Sequence, residues 1–542
     1  SGGLRMGGST YYGLNISDAN TPSMVYSVGS NYANVLQGKA TTLQGMRNGT
    51  YGTTDEQKAF ARMGQSWAKP SVGFVKVNGK KVMVNFLAGG YDTCYEDAAF
   101  TLKTTGDNVS CATKTQAQGN AVYMVRVGEE KGGEESKDQT GTYTDTTIDT
   151  SADNGKLLWW ASYGASKSET NNNTTRTTAL QKSEHTDMTN SIVTEIRTLD
   201  RNYDGFTDHI YYADLGGRVW RADINNNKDT DTFRVDRVVK LLDVSAEASN
   251  TDAPPRFYER PLLTVTNEVV DGEAMGQITV GTGNRSLPIS EQRSTADAIY
   301  SFIDREVGKR SLFCYQSDED CKTNGSDNTL TQAIQTKNLT KANLQVLQFA
   351  PTDAAIKSNM KKAVNDTDFR HGWYYVMDKW NTITGKGTTL KASATVENNV
   401  KGLKMFNEPD AQAGLLFVSV FNPNVNLMEG GCSATVQGAT QRMLMCLPFG
   451  NCGNSDYKAA DGVDIFSTRS VGVAGAGIID NIITQNKPGT KKSLYGALQL
   501  HCTGDECDKN LFGKDSIFGE DTINSAGVQR DKLINPRLWL EK

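Results

Sequence analysis

Apolar positions along this chain come in short runs separated by turns rich in Gly, Asn, Asp and Pro. Tyr11-Tyr12-Gly13-Leu14-Asn15-Ile16 is one such run, a turn at 18–22 follows, and Met24-Val25-Tyr26-Ser27-Val28 is the next. Runs this short, bounded by turn residues, predict β-strands rather than helices. The pattern returns at 121–127 with 155–159, at 210–214 with 217–220, at 298–304, at 372–378 and, degraded, at 442–447. A second pattern alternates with it. Ser66-Trp67-Ala68-Lys69-Pro70 leads to an apolar strand at 81–86 and then Gly89-Gly90-Tyr91-Asp92. Residues 259–262 lead likewise to 276–280 and Gly281-Thr282-Gly283-Asn284, and Glu408-Pro409 leads to 414–420. Four strands per unit at irregular spacing predict an all-β β-propeller, whose units stack because none can bury both faces alone. A set of β-sandwich domains would also show regularly spaced strands. The recurrence of one ordered pair of patterns, with no interdomain linker, favours a single propeller domain over 1–542.

The irregular spacing is assigned to insertions near 128–154, 164–189 and 315–365. The first two are polar and Thr-rich and read as surface loops. Two helical insertions are expected. Thr54-Asp55-Glu56-Gln57 has capping-box form, with Ala59, Phe60 and Met63 following at helical spacing. Residues 330–347 and 353–364 are expected to form a helical pair. Leu538-Trp539-Leu540 after Pro536 reads as a last strand that completes the first unit and closes the ring, removing exposed edges.

Composition agrees with many short strands. Gly supplies 52 of 542 residues, and Gly and Asn tolerate the positive φ of tight turns. The net charge is only −5 and no basic run occurs, which argues against nucleic-acid binding. No uniformly apolar stretch is long enough to span a bilayer. The opening S-G-G-L-R is not a secretory signal, so we read the chain as the C-terminal part of a longer exported protein. Nine cysteines point the same way. Cys94 with Cys111, Cys314 with Cys321 and Cys502 with Cys507 each bracket a polar loop, the habit of disulfides in exported proteins. Of the remaining three, we pair Cys432 with Cys452 and expect Cys446, inside an apolar run, to be a buried free thiol. Zinc is disfavoured, because no C-x-x-C occurs and the four histidines are scattered.

The sharpest chemical signal is the stretch D-R-N-Y-D-G-F-T-D-H-I-Y-Y-A-D-L-G-G-R-V-W at 200–220. Asp200, Asn202, Asp204 and Asp208 alternate with other residues, and Gly205 stands where the chain must turn. With the carbonyl of Phe206 they offer hard oxygen donors on a flexible loop, which favours Ca2+ over magnesium. Tyr211 stands where an EF-hand would place its bidentate Glu, and the loop feeds a hairpin rather than a helix. An acidic turn capped by Asx hydrogen bonds is the plainer reading of the same residues. A second acidic stretch, 223–231, lacks the Gly, contains Lys228 and reads as a solvated hairpin loop. No G-x-S-x-G, H-E-x-x-H or Walker A pattern is found, and Gly281-Thr282-Gly283 lies between strands rather than at a helix N-terminus. Trp159, Trp220, Trp373 and Trp380 would suit sugar stacking, yet strand-end positions in a repeat favour packing.

The run at 199–223 closely resembles the calcium loop and hairpin of the PilC/PilY family of type IV pilus biogenesis factors and tip adhesins. Gly8-Ser9-Thr10-Tyr11-Tyr12-Gly13-Leu14-Asn15-Ile16-Ser17-Asp18 is similar to the family's opening strand. Trp67-Ala68-Lys69-Pro70, Gly89-Gly90-Tyr91-Asp92 and Gly281-Thr282-Gly283-Asn284-Arg285 resemble further family elements, in order, over nearly the whole chain. The resemblance implies a modified quinoprotein-like β-propeller of about seven blades. It implies a calcium site at Asp200, Asn202, Asp204, the Phe206 carbonyl and Asp208. It further implies a protein exported to the pilus tip, outer membrane or cell surface of a Gram-negative bacterium, which contacts minor pilins or pilus-tip components, balances extension against retraction and attaches to surfaces or host cells. The Arg-Gly-Asp motif of some members is absent. A lectin-like host-surface adhesin is the alternative. A quinoprotein-like dehydrogenase is disfavoured, because those enzymes use adjacent cysteines and none occur here; no enzymatic activity is expected.

Overall fold

The computed structural model describes residues 8–450 and 470–476 and two short strands at 483–484 and 494–495, apart from internal segments of which 31–54, 132–146, 166–179, 309–337 and 383–394 are the longest. The described residues are nearly all β, and they divide into two compact units, one ending at Ser245 and one beginning at Ala246.

The first unit opens with the hairpin β1 (Thr10–Asn15) and β2 (Ser23–Gly29), paired antiparallel. The short helix α1 (Asp55–Phe60) follows where the capping pattern placed it. A larger sheet then forms from β3 (Ser71–Val77), β4 (Lys80–Ala88), β5 (Ala121–Lys131), β7 (Leu157–Ser162) and β8 (Gln181–Glu184), with β6 (Thr147–Asp149) pairing back on β5. The next sheet is a four-stranded meander of β9 (Arg197–Leu199), β10 (His209–Ala213), β11 (Arg218–Asn225) and β12 (Arg234–Asp243).

The central strands of the larger sheet read as continuous apolar runs, A-V-Y-M-V and L-L-W-W-A, because both faces are covered. Val82, Val84, Phe86, Val122, Met124 and Trp159 face a core shared with Ile210, Tyr212, Trp220 and Ile224 of the meander. Their neighbours Leu87, Tyr123, Val125 and Trp160 face the opposite way, onto Tyr11, Tyr26 and Val28 of the first hairpin and Phe60 of α1. Alternate residues of one strand thus feed two cores. This stacking of meander sheets is the packing the strand pattern predicts.

The second unit repeats the scheme. One sheet is ordered β13 (Leu262–Thr266), β14 (Met275–Gly281), β15 (Ala298–Asp304), β17 (Gly372–Val376) and β16 (Gln345–Val346). Strands β18 (Lys379–Thr382) and β19 (Thr395–Asn398) pair with each other, and another sheet contains β20 (Lys404–Met405), β22 (Leu415–Asn426), β23 (Gln437–Cys446) and β24 (Ser470–Ala476), with β21 (Asp410–Gln412) also pairing with β22. Ile299, Trp373 and Met405 share a core with Val418 and Met445.

The expected polar loops are shorter than their composition suggests. Strand β5 continues to Lys131 with β6 paired against it, and β8 pairs parallel with β7 inside the second expected loop. Helix α2 (Ala354–Met360) lies within 353–364 as expected. The described part of 330–347 is not helical. It forms a 3-10 turn at Lys341–Asn343 and then β16, whose backbone pairs with β17 instead of closing helical bonds. Cys94 and Cys111 form the predicted disulfide. Cys446 is disulfide-bonded, which corrects the expectation of a free thiol. Cys314, Cys321, Cys432, Cys452, Cys502, Cys507 and the 538–540 strand lie outside the described residues.

Candidate cation loop and its supporting sheet

All five predicted donors lie in the connection between the adjacent antiparallel strands β9 and β10, whose ends meet at the Leu199–His209 pair. Asp200 is the first residue after β9. Asp208 is held by the ladder itself, since its N–H donates to the Leu199 carbonyl (2.9 Å) and its carbonyl accepts from the Ile224 N–H (2.7 Å). The two end donors are therefore placed by the sheet, and Asp208 is buried. Between them Asn202 and Asp204 are exposed, while Phe206 is half-buried. The chain reverses through Tyr203 (φ 62°) and Gly205 (φ 82°), left-handed positions of which the second has the residue that tolerates it.

Local hydrogen bonds shape the turn. Asp200 accepts from the backbone N–H groups of Tyr203 (2.7 Å) and Gly205 (2.8 Å). Asn202 Oδ1 accepts from the Asp204 N–H (3.2 Å), and Asp204 Oδ1 accepts from the Phe206 N–H (2.9 Å). Asp208 Oδ2 accepts from the Arg201 N–H (2.8 Å). These are the Asx bonds of the plainer reading, and they fix orientation without exhausting the ligands, because each carboxylate has about four lone-pair sites. Burial, aided by Asp204 and Asp200, pushes the Asp208 carboxyl up to about 7. Burial and Asp204 also raise Asp200.

Among the described residues no group of three or more His, Cys, Asp or Glu side chains is gathered tightly enough to hold a metal as it stands. The donor chemistry nonetheless fits a hard cation, with carboxylates, an amide oxygen and a carbonyl at alternating positions. To complete a coordination sphere, the exposed side chains of Asn202 and Asp204 have to turn inward while Asp200 and Asp208 stay where the strands put them.

The second acidic stretch is not a solvated loop at its start. Asp223 and Asn225 lie in β11 and are buried. Asp223 pairs across the sheet with His209 on one side and Arg237 on the other. Its carboxylate meets His209 Nδ1 (2.8 Å), Arg221 Nε (2.7 Å) and the Arg237 guanidinium. Against the penalty of burial, Arg221, His209 and Arg237 hold it well below the usual carboxylate range. The individual residues were plain in the sequence, but only strand register brings them together. The Gly216-Gly217 turn that follows β10 is built on Asp214, whose buried carboxylate accepts from the N–H groups of Gly216 (2.8 Å) and Arg218 (3.1 Å) and from Trp220 Nε1 (2.9 Å). Trp159, Trp220, Trp373 and Trp380 are all buried, so none is offered for sugar stacking.

No protein-family model matches the chain. The type IV pilus biogenesis factor PilY1 of Pseudomonas aeruginosa (strain UCBPP-PA14) is 24% identical over 335 residues, covering 57% of this chain and 26% of the relative's length. Among solved structures, the C-terminal domain of Pseudomonas aeruginosa PilY1 aligns with 92% of this chain and 79% of its own, at 15% identity and a TM-score of 0.45. The sequence similarity supports the resemblance to a PilC/PilY-family C-terminal domain that the motifs carry.

Proposed function

We propose that this chain, a relative of the PilC/PilY C-terminal domains, is a calcium-binding, non-catalytic part of the type IV pilus biogenesis machinery. Its stacked sheets serve as blades of one propeller of about seven, and it is exported to the pilus tip or cell surface. It contacts minor pilins or other pilus-tip components, supports extension against retraction and contributes to surface or host-cell attachment.

One observation carries this reading: the 200–208 loop sets oxygen donors at alternating positions and has its end donors Asp200 and Asp208 placed by β9 and β10, in a chain similar to a pilus biogenesis factor. Calcium, when bound, supplies positive charge to carboxylates that otherwise repel one another. Asp208 and Asp200 provide the fixed side of the site, and Asn202, Asp204 and the Phe206 carbonyl provide the adjustable side. Inward rotation of Asn202 and Asp204 alters the exposed surface at 202–204, which is the part of the loop offered to a partner. Occupancy thereby biases one surface over another, as a ligand with differential affinity must.

Calorimetry on the wild-type chain and on Asp204→Ala tests the site. Removing one of three carboxylates is expected to weaken calcium binding at least tenfold, more than 1.4 kcal/mol. Equal affinity in the two proteins refutes the assignment. In cells, the same substitution in the full-length protein is expected to shift the balance of surface piliation.

A further inference from the structure

The loop does not stand on β9 and β10 alone. Its second half rests on the hairpin of the neighbouring sheet, formed by β3 and β4. The Thr207 N–H donates to the Phe74 carbonyl (2.8 Å). The Thr207 carbonyl accepts from Asn226 Nδ2 (2.8 Å), and Oδ1 of that same Asn226 accepts from the Lys76 N–H (3.0 Å). Asn226 is 5% exposed, so its two bonds are made inside the protein. The Lys76 ammonium lies 5.7 Å from the centre of the Phe206 ring. The hairpin tip is tied down further on, since the Phe233 N–H donates to the Lys76 carbonyl (2.7 Å) and the Gly79 N–H donates to the Asp231 carbonyl (2.6 Å). Gly73 permits this approach, because a Cβ there would collide with Thr207 Oγ1 and Phe86.

We infer that Asn226 is a positioning residue for the cation loop. It clasps the Phe206–Thr207 side of the loop to β3, and so couples donor geometry at 200–208 to the docking of the β3–β4 hairpin. Asn226 supplies no donor to the ion. It acts by fixing the Thr207–Asp208 peptide, which leads directly into the ladder residue Asp208, while the Thr207 N–H bond to the Phe74 carbonyl holds the preceding peptide, whose Phe206 carbonyl is one of the five donors. In the first half of the loop Asn202, Tyr203 and Asp204 are exposed. Because coupling between two sites is reciprocal, whatever Asn226 contributes to calcium affinity returns as calcium-dependent protection of the hairpin.

This inference rests on the calcium reading above, and the test separates the two. The full chain and its Asn226→Ala variant are compared by calorimetry with calcium, and by amide hydrogen exchange in chelator and in calcium. The expected result is a roughly tenfold loss of calcium affinity in the variant, within the usual range of coupling between linked sites. Exchange at Thr207 and Lys76 is expected to quicken in chelator, and calcium is expected to slow exchange at Gly79 and Phe233 in the wild type but not in the variant. A packing residue without coupling would leave that calcium-dependent difference unchanged. Wild-type affinity and wild-type exchange in the variant overturn the inference. If the wild type binds no calcium, the calcium reading fails, and unchanged Lys76 exchange in chelator would overturn the clasp separately, because the Lys76 N–H is the amide that Asn226 accepts from. Gly73→Ala, which presses on Thr207 from the hairpin side, provides the same comparison should Asn226→Ala not fold.

Discussion

His371 gives a pH prediction that follows from burial beside a fixed positive charge. It immediately precedes β17, where its N–H donates to the Asn343 carbonyl (3.0 Å) and its carbonyl accepts from the Ile303 N–H (2.8 Å). The half-buried ring lies edge-on to Phe369 with centroids 4.7 Å apart. The Arg305 guanidinium lies over the same Phe369 ring at 4.8 Å, and Nδ1 of His371 has no hydrogen-bond partner among the described residues. Burial, then the charge of Arg305, lowers the imidazole from 6.5 to about 4. The unfolded chain accepts the proton first, so stability is fully present above about pH 6.5 and is lost as pH falls toward 4. The shift corresponds to about 3 kcal/mol in all, of which about 2 kcal/mol is lost by roughly pH 5. Replacing the ring by one that cannot titrate, His371→Phe, removes that term. Urea unfolding followed by tryptophan fluorescence, to which the buried Trp373 in β17 contributes, measures the difference at about pH 7.5 and about pH 5. The wild type is expected to lose about 2 kcal/mol more than the variant between the two. Parallel losses would show that the ring is not held neutral by its surroundings.

Two further outcomes test the framework. Replacing Cys94 and Cys111 by Ser opens a loop with a sequence separation of 17 and is expected to cost about 3 kcal/mol, read as a lower melting temperature; an unchanged melt refutes a stabilising role for the link. Asp214→Ala leaves three donors, the N–H groups of Gly216 and Arg218 and the Trp220 indole, without their acceptor, and is expected to cost on the order of 3 kcal/mol with a change in tryptophan emission; a near-neutral effect would mean that water replaces the carboxylate.

The strands that face two cores are the most legible, because A-V-Y-M-V and L-L-W-W-A carry an apolar signal that turns bound. Strand β8 was not, and the reason is physical. Gln181, Lys182, Ser183 and Glu184 contain no apolar side chain, and their place in the sheet comes from parallel backbone pairing with β7 and the Trp159 Nε1 bond to Ser183 Oγ (2.9 Å). Strand β16 is hidden because it is two residues long and set by parallel pairing with β17. The candidate loop was legible because its donors are neighbours in sequence. The Asn226 clasp was not, since the Lys76 and Thr207 groups it joins are 150 and 19 residues away.

Two acidic stretches that look alike in sequence are treated oppositely by the fold, and the contrast bears on the cation reading. Asp223 and Asp208 are both buried. Around Asp223 the protein has supplied its own cations, with Arg221 bonded through two nitrogens (2.7 and 3.2 Å) and Arg237 in direct contact. A buried charge paired in this way needs nothing from outside. Around Asp208 the direct side-chain partner among the described residues is one backbone N–H, and Arg201 offsets only part of what burial, Asp204 and Asp200 impose. A carboxylate so placed has two remedies, a proton or a cation. A proton satisfies Asp208 alone. A divalent ion would also satisfy Asp200 and Asp204, which the proton leaves repelling each other, and the alternation of Asn202 and the Phe206 carbonyl between them adds oxygens that a proton has no use for. The arrangement as a set is consistent with the proposed cation, and on that proposal the inward turn of Asn202 and Asp204 is a conformational cost that binding would have to offset.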